Sequence, residues 1–255
     1  MTIWQLHMLN ARGALTPIMA EIRAHARATL ALVSEHLDLP RFDLVVRAGD
    51  AVIPDWGIGG YAPAPGVIEL TLDPARVSPE HFRRTLVHEM HHLARWDGPG
   101  YGRSLGEALV SEGLAGHFVQ QVLGGAPDPW DATRPGAGSL KQASTLWARR
   151  DYDHGEWFMG RGRMRKWTGY GLGHRLVGAF LDEDETRDAA GLALAAADAF
   201  RPALRKLMAA EGIEEPEPEP VSEPLPEAED DGEASEREAS RDAGGASPPG
   251  PPEDI

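Results

Sequence analysis

Five consecutive residues, His88-Glu89-Met90-His91-His92, hold two imidazoles four positions apart with a carboxylate directly after the first. On an α-helix, four residues advance about 40° around the axis and about 6 Å along it. His88 and His92 then project from one face at a separation that a single zinc ion can bridge. Glu89 stands beside that face, where its carboxylate reaches a water on the metal rather than the metal itself. The chemistry such a set supports is metal-assisted hydrolysis, with two neutral nitrogen donors and an adjacent base. His91 lies three residues after His88 and also approaches this face; packing, or orienting a ligand, is its expected role.

Catalytic zinc commonly has three protein ligands and a position open to water, and two histidines with one glutamate is one such set. Glu107, Glu112 and His117 are the candidates for the third. Glu107 and Glu112 are five residues apart, roughly 140° around a helix, so both cannot face one ion. Glu112 is favoured, because 19 residues separate it from His92 and its neighbours Gly113, Ala115 and Gly116 let another helix come close. Glu107 and Asp97 read as solvated charges, with orientation of an imidazole as the rival role. A developing oxyanion needs a donor besides the metal. Tyr170 and His174, four apart at the start of a helix, are the candidates, against a reading in which Tyr170 only packs and His174 is a surface residue. His154 is a further histidine, in a loop.

The elements that must position these groups follow from local signals. Ser78-Pro79-Glu80-His81 supplies an N-cap, a proline at the first helical position and an acidic first turn, and Asp97-Gly98-Pro99-Gly100 stops the chain just past the motif. The spacing predicts a partly buried helix between them. A second long helix is expected from Ser104 to about Leu123. Upstream, residues 14–37 have helical periodicity, residues 42–46 read as a strand, and residues 67–72 alternate as a half-buried strand does. Gly57-Ile58-Gly59-Gly60-Tyr61 between the two strands is either a flexible hairpin or an edge strand facing a substrate. Downstream, residues 125–137 are a loop, residues 140–150 show weaker helical periodicity, and helices are expected from Thr168 to Leu181, over residues 186–200 and over residues 202–210.

Charge and composition divide the chain. Residues 214–255 hold 15 acidic and 2 basic residues, a net of −13, which leaves −2 of the chain's −15 for residues 1–213. Pro-Glu repeats and so few apolar residues predict a disordered tail. Residues 1–213 form the expected catalytic domain, with an α/β part to about residue 100 and a helical part after it. A nearly neutral body argues against a nucleic-acid partner, and Arg161 to Lys166 reads as a solvated basic loop. The chain has no cysteine, which excludes disulfides and thiolate metal sites. It shows no leader signature and no apolar run near the roughly 20 residues that cross a bilayer. No membrane partner and a cytoplasmic location are therefore expected, and subunit number is left open.

His-Glu-x-x-His followed after 19 residues by Glu resembles the gluzincin pattern of thermolysin-like metallopeptidases, with Ser111 where those enzymes carry Asn. Four features in order are similar to the bacterial YjaZ-like predicted zinc-dependent proteases. They are the His88–His92 run, the segment from Leu105 through Glu112 to Ala115, Trp157-Phe158-Met159-Gly160, and Trp167-Thr168-Gly169-Tyr170-Gly171-Leu172-Gly173. The resemblance spans about residues 40–210. It implies an α+β, zincin-like fold in which a small N-terminal sheet and the motif helix pack on a mostly helical C-terminal half. It also implies Zn2+ held by His88, His92 and Glu112, with Glu89 as catalytic acid/base. The expected activity is hydrolysis of a peptide or flexible protein segment. A zinc-binding regulatory protein that keeps the fold without turnover is the competing reading, and another hydrolytic substrate is a third.

Overall fold

A computed structural model describes residues 2–213. The acidic segment read above as a disordered tail, residues 214–255, lies outside the described residues. The fold is α+β, a four-stranded mixed sheet followed by a mostly helical half.

Strands β1 (Trp4–Leu9), β2 (Phe42–Ala48), β3 (Ile58–Ala64) and β4 (Val67–Leu72) lie in the order β1-β2-β4-β3. β1 pairs parallel with β2 and β2 parallel with β4, while β3 returns antiparallel along β4. The N-terminal strand was not anticipated, although Trp4-Gln5-Leu6-His7-Met8-Leu9 alternates between half-buried and exposed positions as an edge strand does. The glycine-rich stretch is resolved in favour of a strand. β3 forms the opposite edge, where Pro63 is tolerated and where one glycine admits a close approach described below.

Helix α1 (Met19–Val33) begins after a short 3-10 turn at Thr16–Ile18 and buries Ile22, Ala26, Thr29, Leu30 and Val33 along one stripe. Helix α2 (Pro79–Arg95) carries the histidine motif. Ser78 caps it by accepting from the His81 backbone N–H, as expected. From Arg84 to Arg95 every residue of α2 is buried, so beyond its partly exposed first turn this helix has no solvent face. Leu86, Val87, Met90 and Leu93 join Leu44, Val46, Ile68 and Leu70 in one core.

A helix buried all round must satisfy its polar side chains internally. Arg84 pairs with Asp128 and donates to the carbonyls of Gly124 and Ala126 at 3.2 and 3.1 Å. Arg95 donates to the Ala193 carbonyl at 2.8 Å, and His91 Nε2 donates to the Ala189 carbonyl at 3.2 Å. These bonds correct one expectation. Residues 186–196 form turns instead of a helix, followed by a short 3-10 segment at Ala197–Phe200. The carbonyls a helix would use internally are taken by Arg95 and His91, and Asp188 turns the chain by accepting from the Gly191 N–H at 2.7 Å.

Helices α3 (Leu105–Leu123), α4 (Ser139–Leu146), α5 (Thr168–Leu181) and α6 (Arg201–Ala210) build the second half. Ser104 and Glu107 form a capping box at the start of α3, so Glu107 is neither free in solvent nor near an imidazole; its carboxylate accepts from the backbone N–H groups of Arg103 and Ser104. No helix among the described residues is long and apolar enough to cross a membrane.

Candidate metal centre

α2 and α3 bring three donor atoms together. His88 Nε2 lies 3.0 Å from His92 Nε2 and 3.1 Å from Glu112 Oε2, and His92 Nε2 lies 3.4 Å from the same oxygen. Ligands about 2.0–2.1 Å from one tetrahedral zinc stand about 3.3 Å apart. The triangle thus has edges of the right length, and its donor set of two imidazoles and one carboxylate suits that metal. All three side chains are buried.

The outer atoms of two of these three groups are fixed by further bonds. Ser111 Oγ lies 3.1 Å from His92 Nδ1; with that nitrogen protonated and donating, Nε2 presents its lone pair. The Tyr101 hydroxyl donates to Glu112 Oε1 at 2.8 Å and leaves Oε2 to the imidazoles. Neither role was read from the sequence. Ser111 stood out only as a departure from the thermolysin-like pattern. Tyr101 comes from a glycine turn between the helices, where no spacing rule places a side chain.

The charges of the set depend on one another. Burial raises the Glu112 carboxyl, but the His92 charge and hydrogen bonds from His88 and His92 outweigh it and hold the group well below the usual carboxylate range. Burial lowers the His88 imidazole, but its bond to Glu112 and the charges of Glu112, Glu89 and Asp131 hold it up to about 9. Glu89 is raised chiefly by burial, partly offset by His88 and His92, with Glu112 adding to the rise. Its carboxylate has no hydrogen-bond partner among the described residues. β3 lies directly over it, since a Cβ at Gly60 would stand 2.5 Å from Glu89 Oε1. Only glycine lets the edge strand come that near the acid.

The remaining candidates separate. Tyr170 feels the charges of Glu112, Glu89 and Asp131, and burial with those charges raises its hydroxyl well above 10, so it stays a donor. That hydroxyl has no partner among the described residues. His174 points elsewhere: its Nε2 lies 2.8 Å from Gln120 Oε1 and its ring stacks on His117 with centroids 3.9 Å apart. His117 in turn donates to the His174 carbonyl at 2.9 Å and is no ligand of the triangle. His154 stacks on Phe158 and meets the Tyr152 hydroxyl. His91 faces away, against Phe118.

The small residues beside Glu112 serve partners other than the one expected. A Cβ at Gly113 would stand 2.3 Å from the Gly173 carbonyl oxygen, so Gly113 admits α5. Gly116 admits the Asp131 carboxylate, 2.6 Å from where its Cβ would be. α2 meets α3 through the site itself.

A family model described as Predicted Zn-dependent protease (DUF2268) matches residues 22–201, a span that contains the whole donor triangle. No curated protein matches the chain.

Proposed function

The chain belongs to the predicted Zn-dependent protease family, and from that premise we propose that it is a zinc metallopeptidase with a zincin-like fold, its catalytic unit within residues 1–213. The donor triangle of His88, His92 and Glu112 carries the reading, because three buried groups meet at zinc-ligand spacing beside a carboxylate with no hydrogen-bond partner among the described residues. Zinc held by these three residues would supply Lewis acidity, which lowers the pKa of a water and polarises a carbonyl.

The chain's own residues supply the rest. Glu89 takes the water's proton and delivers it to the leaving amine; its raised affinity for protons suits both tasks. The outer edge of β3 gives backbone groups for an extended peptide, and the bare backbone at Gly60 lets that peptide lie beside Glu89. Tyr170, kept protonated by its surroundings, donates to the developing oxyanion. His174 has no part in this step, because Gln120 already engages its ring. The substrate class is a peptide or flexible protein segment.

Glu89→Gln separates hydrolysis from metal binding. Incubated with a peptide library, the wild type should cut and the variant should not, while both retain zinc by elemental analysis. Cleavage by Glu89→Gln at the wild-type rate, or a zinc-loaded wild type that cuts no peptide, would overturn the proposal.

A further inference from the structure

The two imidazoles of the triangle are held unequally at their outer nitrogens. His92 Nδ1 has Ser111 Oγ at 3.1 Å, whereas His88 Nδ1 is buried with no hydrogen-bond partner among the described residues. With Nε2 turned to a metal, Nδ1 must carry the ring proton, and a buried N–H needs an acceptor.

One buried acceptor nearby also lacks a partner. Both carboxylate oxygens of Asp131 are buried without a hydrogen bond among the described residues, and the residue is only 4% exposed. It arrives from the loop after α3 and rests on Gly116, one turn beyond Glu112. A methyl group at 116 would stand 2.6 Å from Asp131 Oδ2, so the glycine makes room for this carboxylate. Asp128 in the same loop already has its charge balanced by the Arg84 guanidinium at Oδ1, although its Oδ2 is also buried without a hydrogen bond, whereas Asp131 has no cation bound to it among the described residues. Glu112, which meets His88, and Gly116, on which Asp131 rests, are one turn apart on α3, and His88 and Asp131 each feel the other's charge.

We propose that Asp131 is the positioning residue for His88: its carboxylate accepts the Nδ1–H of the zinc-bearing imidazole and fixes the ring with Nε2 toward His92 and Glu112. This rests on the zinc reading above. A carboxylate behind a ligating histidine sets the tautomer, makes the ligating nitrogen more basic and offsets the charge of the buried cation. Ser111 does the first of these for His92. Asp131 does all three for His88, from a loop that no motif spacing marks.

Zinc affinity, measured on the full chain by competition with a chromophoric chelator, tests the assignment. Asp131→Ala should weaken zinc binding by about 10- to 100-fold. Asp131→Asn keeps an acceptor oxygen and should lose less, and it serves as the test where the alanine variant does not fold. Gly116→Ala, which crowds the carboxylate out of place, should weaken binding too. Combined with Asp131→Ala it should add little, because both act on one contact.

Imidazole nitrogen NMR of the zinc-loaded protein gives a readout that packing alone would not move. The His88 Nδ1–H should resist exchange in the wild type and exchange rapidly in Asp131→Ala. Wild-type affinity and an unchanged His88 Nδ1–H in both Asp131 variants would overturn the assignment while leaving the zinc site standing. A wild type that takes up no zinc would overturn both.

Discussion

A proton stands where the metal would at the level of single residues. His88, held up to about 9 by Glu112 and its neighbours despite burial, carries its proton at neutral pH in the metal-free protein. Zinc must displace it. Binding at pH 7 should therefore release protons, seen in calorimetry as a heat that changes with the ionisation enthalpy of the buffer. Apparent affinity should rise about tenfold per pH unit for that one proton until pH passes about 9. The metal-free fold shows the opposite trend, because a raised histidine pKa contributes stability that is complete below about pH 6.5 and is lost as pH climbs through about 9. A buffer-independent heat and a pH-independent affinity would contradict the charge state assigned to His88. The donor triangle was legible in the sequence: a helical period places His88 and His92 together, and the distance to Glu112 fits a second helix. Tyr101, Ser111 and Asp131 were not, since they reach the site across a turn, a neighbouring helix and a loop. His174 was misleading because four residues share a helix face; one turn farther along α5, that face meets Gln120 and His117 rather than Glu112.

Elements position the acid as closely as residues do. β3 and α2 touch through Gly60 and Glu89, and a Cβ at 60 would also stand 2.8 Å from Thr85 Cγ2. Gly60→Ala must move the strand or the acid. Peptide turnover should fall about 100-fold, the loss that small misplacements of catalytic groups produce, while zinc affinity should stay near wild type because the nearest atoms a Cβ at 60 would meet belong to Glu89 and Thr85, not to the donor triangle. Equal kcat/KM in the variant and the wild type would show that the strand does not set the position of Glu89. Helix α2 was readable because its Ser78 cap and its apolar spacing agree with the final fold. Residues 186–196 were not: their alanine-rich composition favours a helix, but the backbone carbonyls satisfy Arg95 and His91 instead. Tertiary demand outweighed local propensity.

At the scale of the described molecule, α2 carries polar side chains into the interior from Arg84 to Arg95, and its stability depends on loops that come to meet it. An N-terminal sheet with a helical half after it was legible from the succession of periodicities. The strand order β1-β2-β4-β3 was not, because no local signal states that β2 and β4 are neighbours and β3 an edge. The Arg84–Asp128 pair is the clearest test of how the halves are held. Its side chains are 8% and 3% exposed, and the guanidinium also reaches two carbonyls of the same loop. Asp128→Ala leaves the cation buried without its counter-charge, which costs about 3–5 kcal/mol. Replacing both partners, as Arg84→Met with Asp128→Leu, removes the stranded charge and should recover most of that loss. Denaturant unfolding of the two variants beside the wild type decides it. A loss below about 1 kcal/mol in Asp128→Ala, the range of exposed pairs, would mean that water reaches Arg84 and that the loop does not seal α2. Asp131 lies three residues further along this loop, so the single variant should also loosen zinc, and the double variant should restore stability and affinity together.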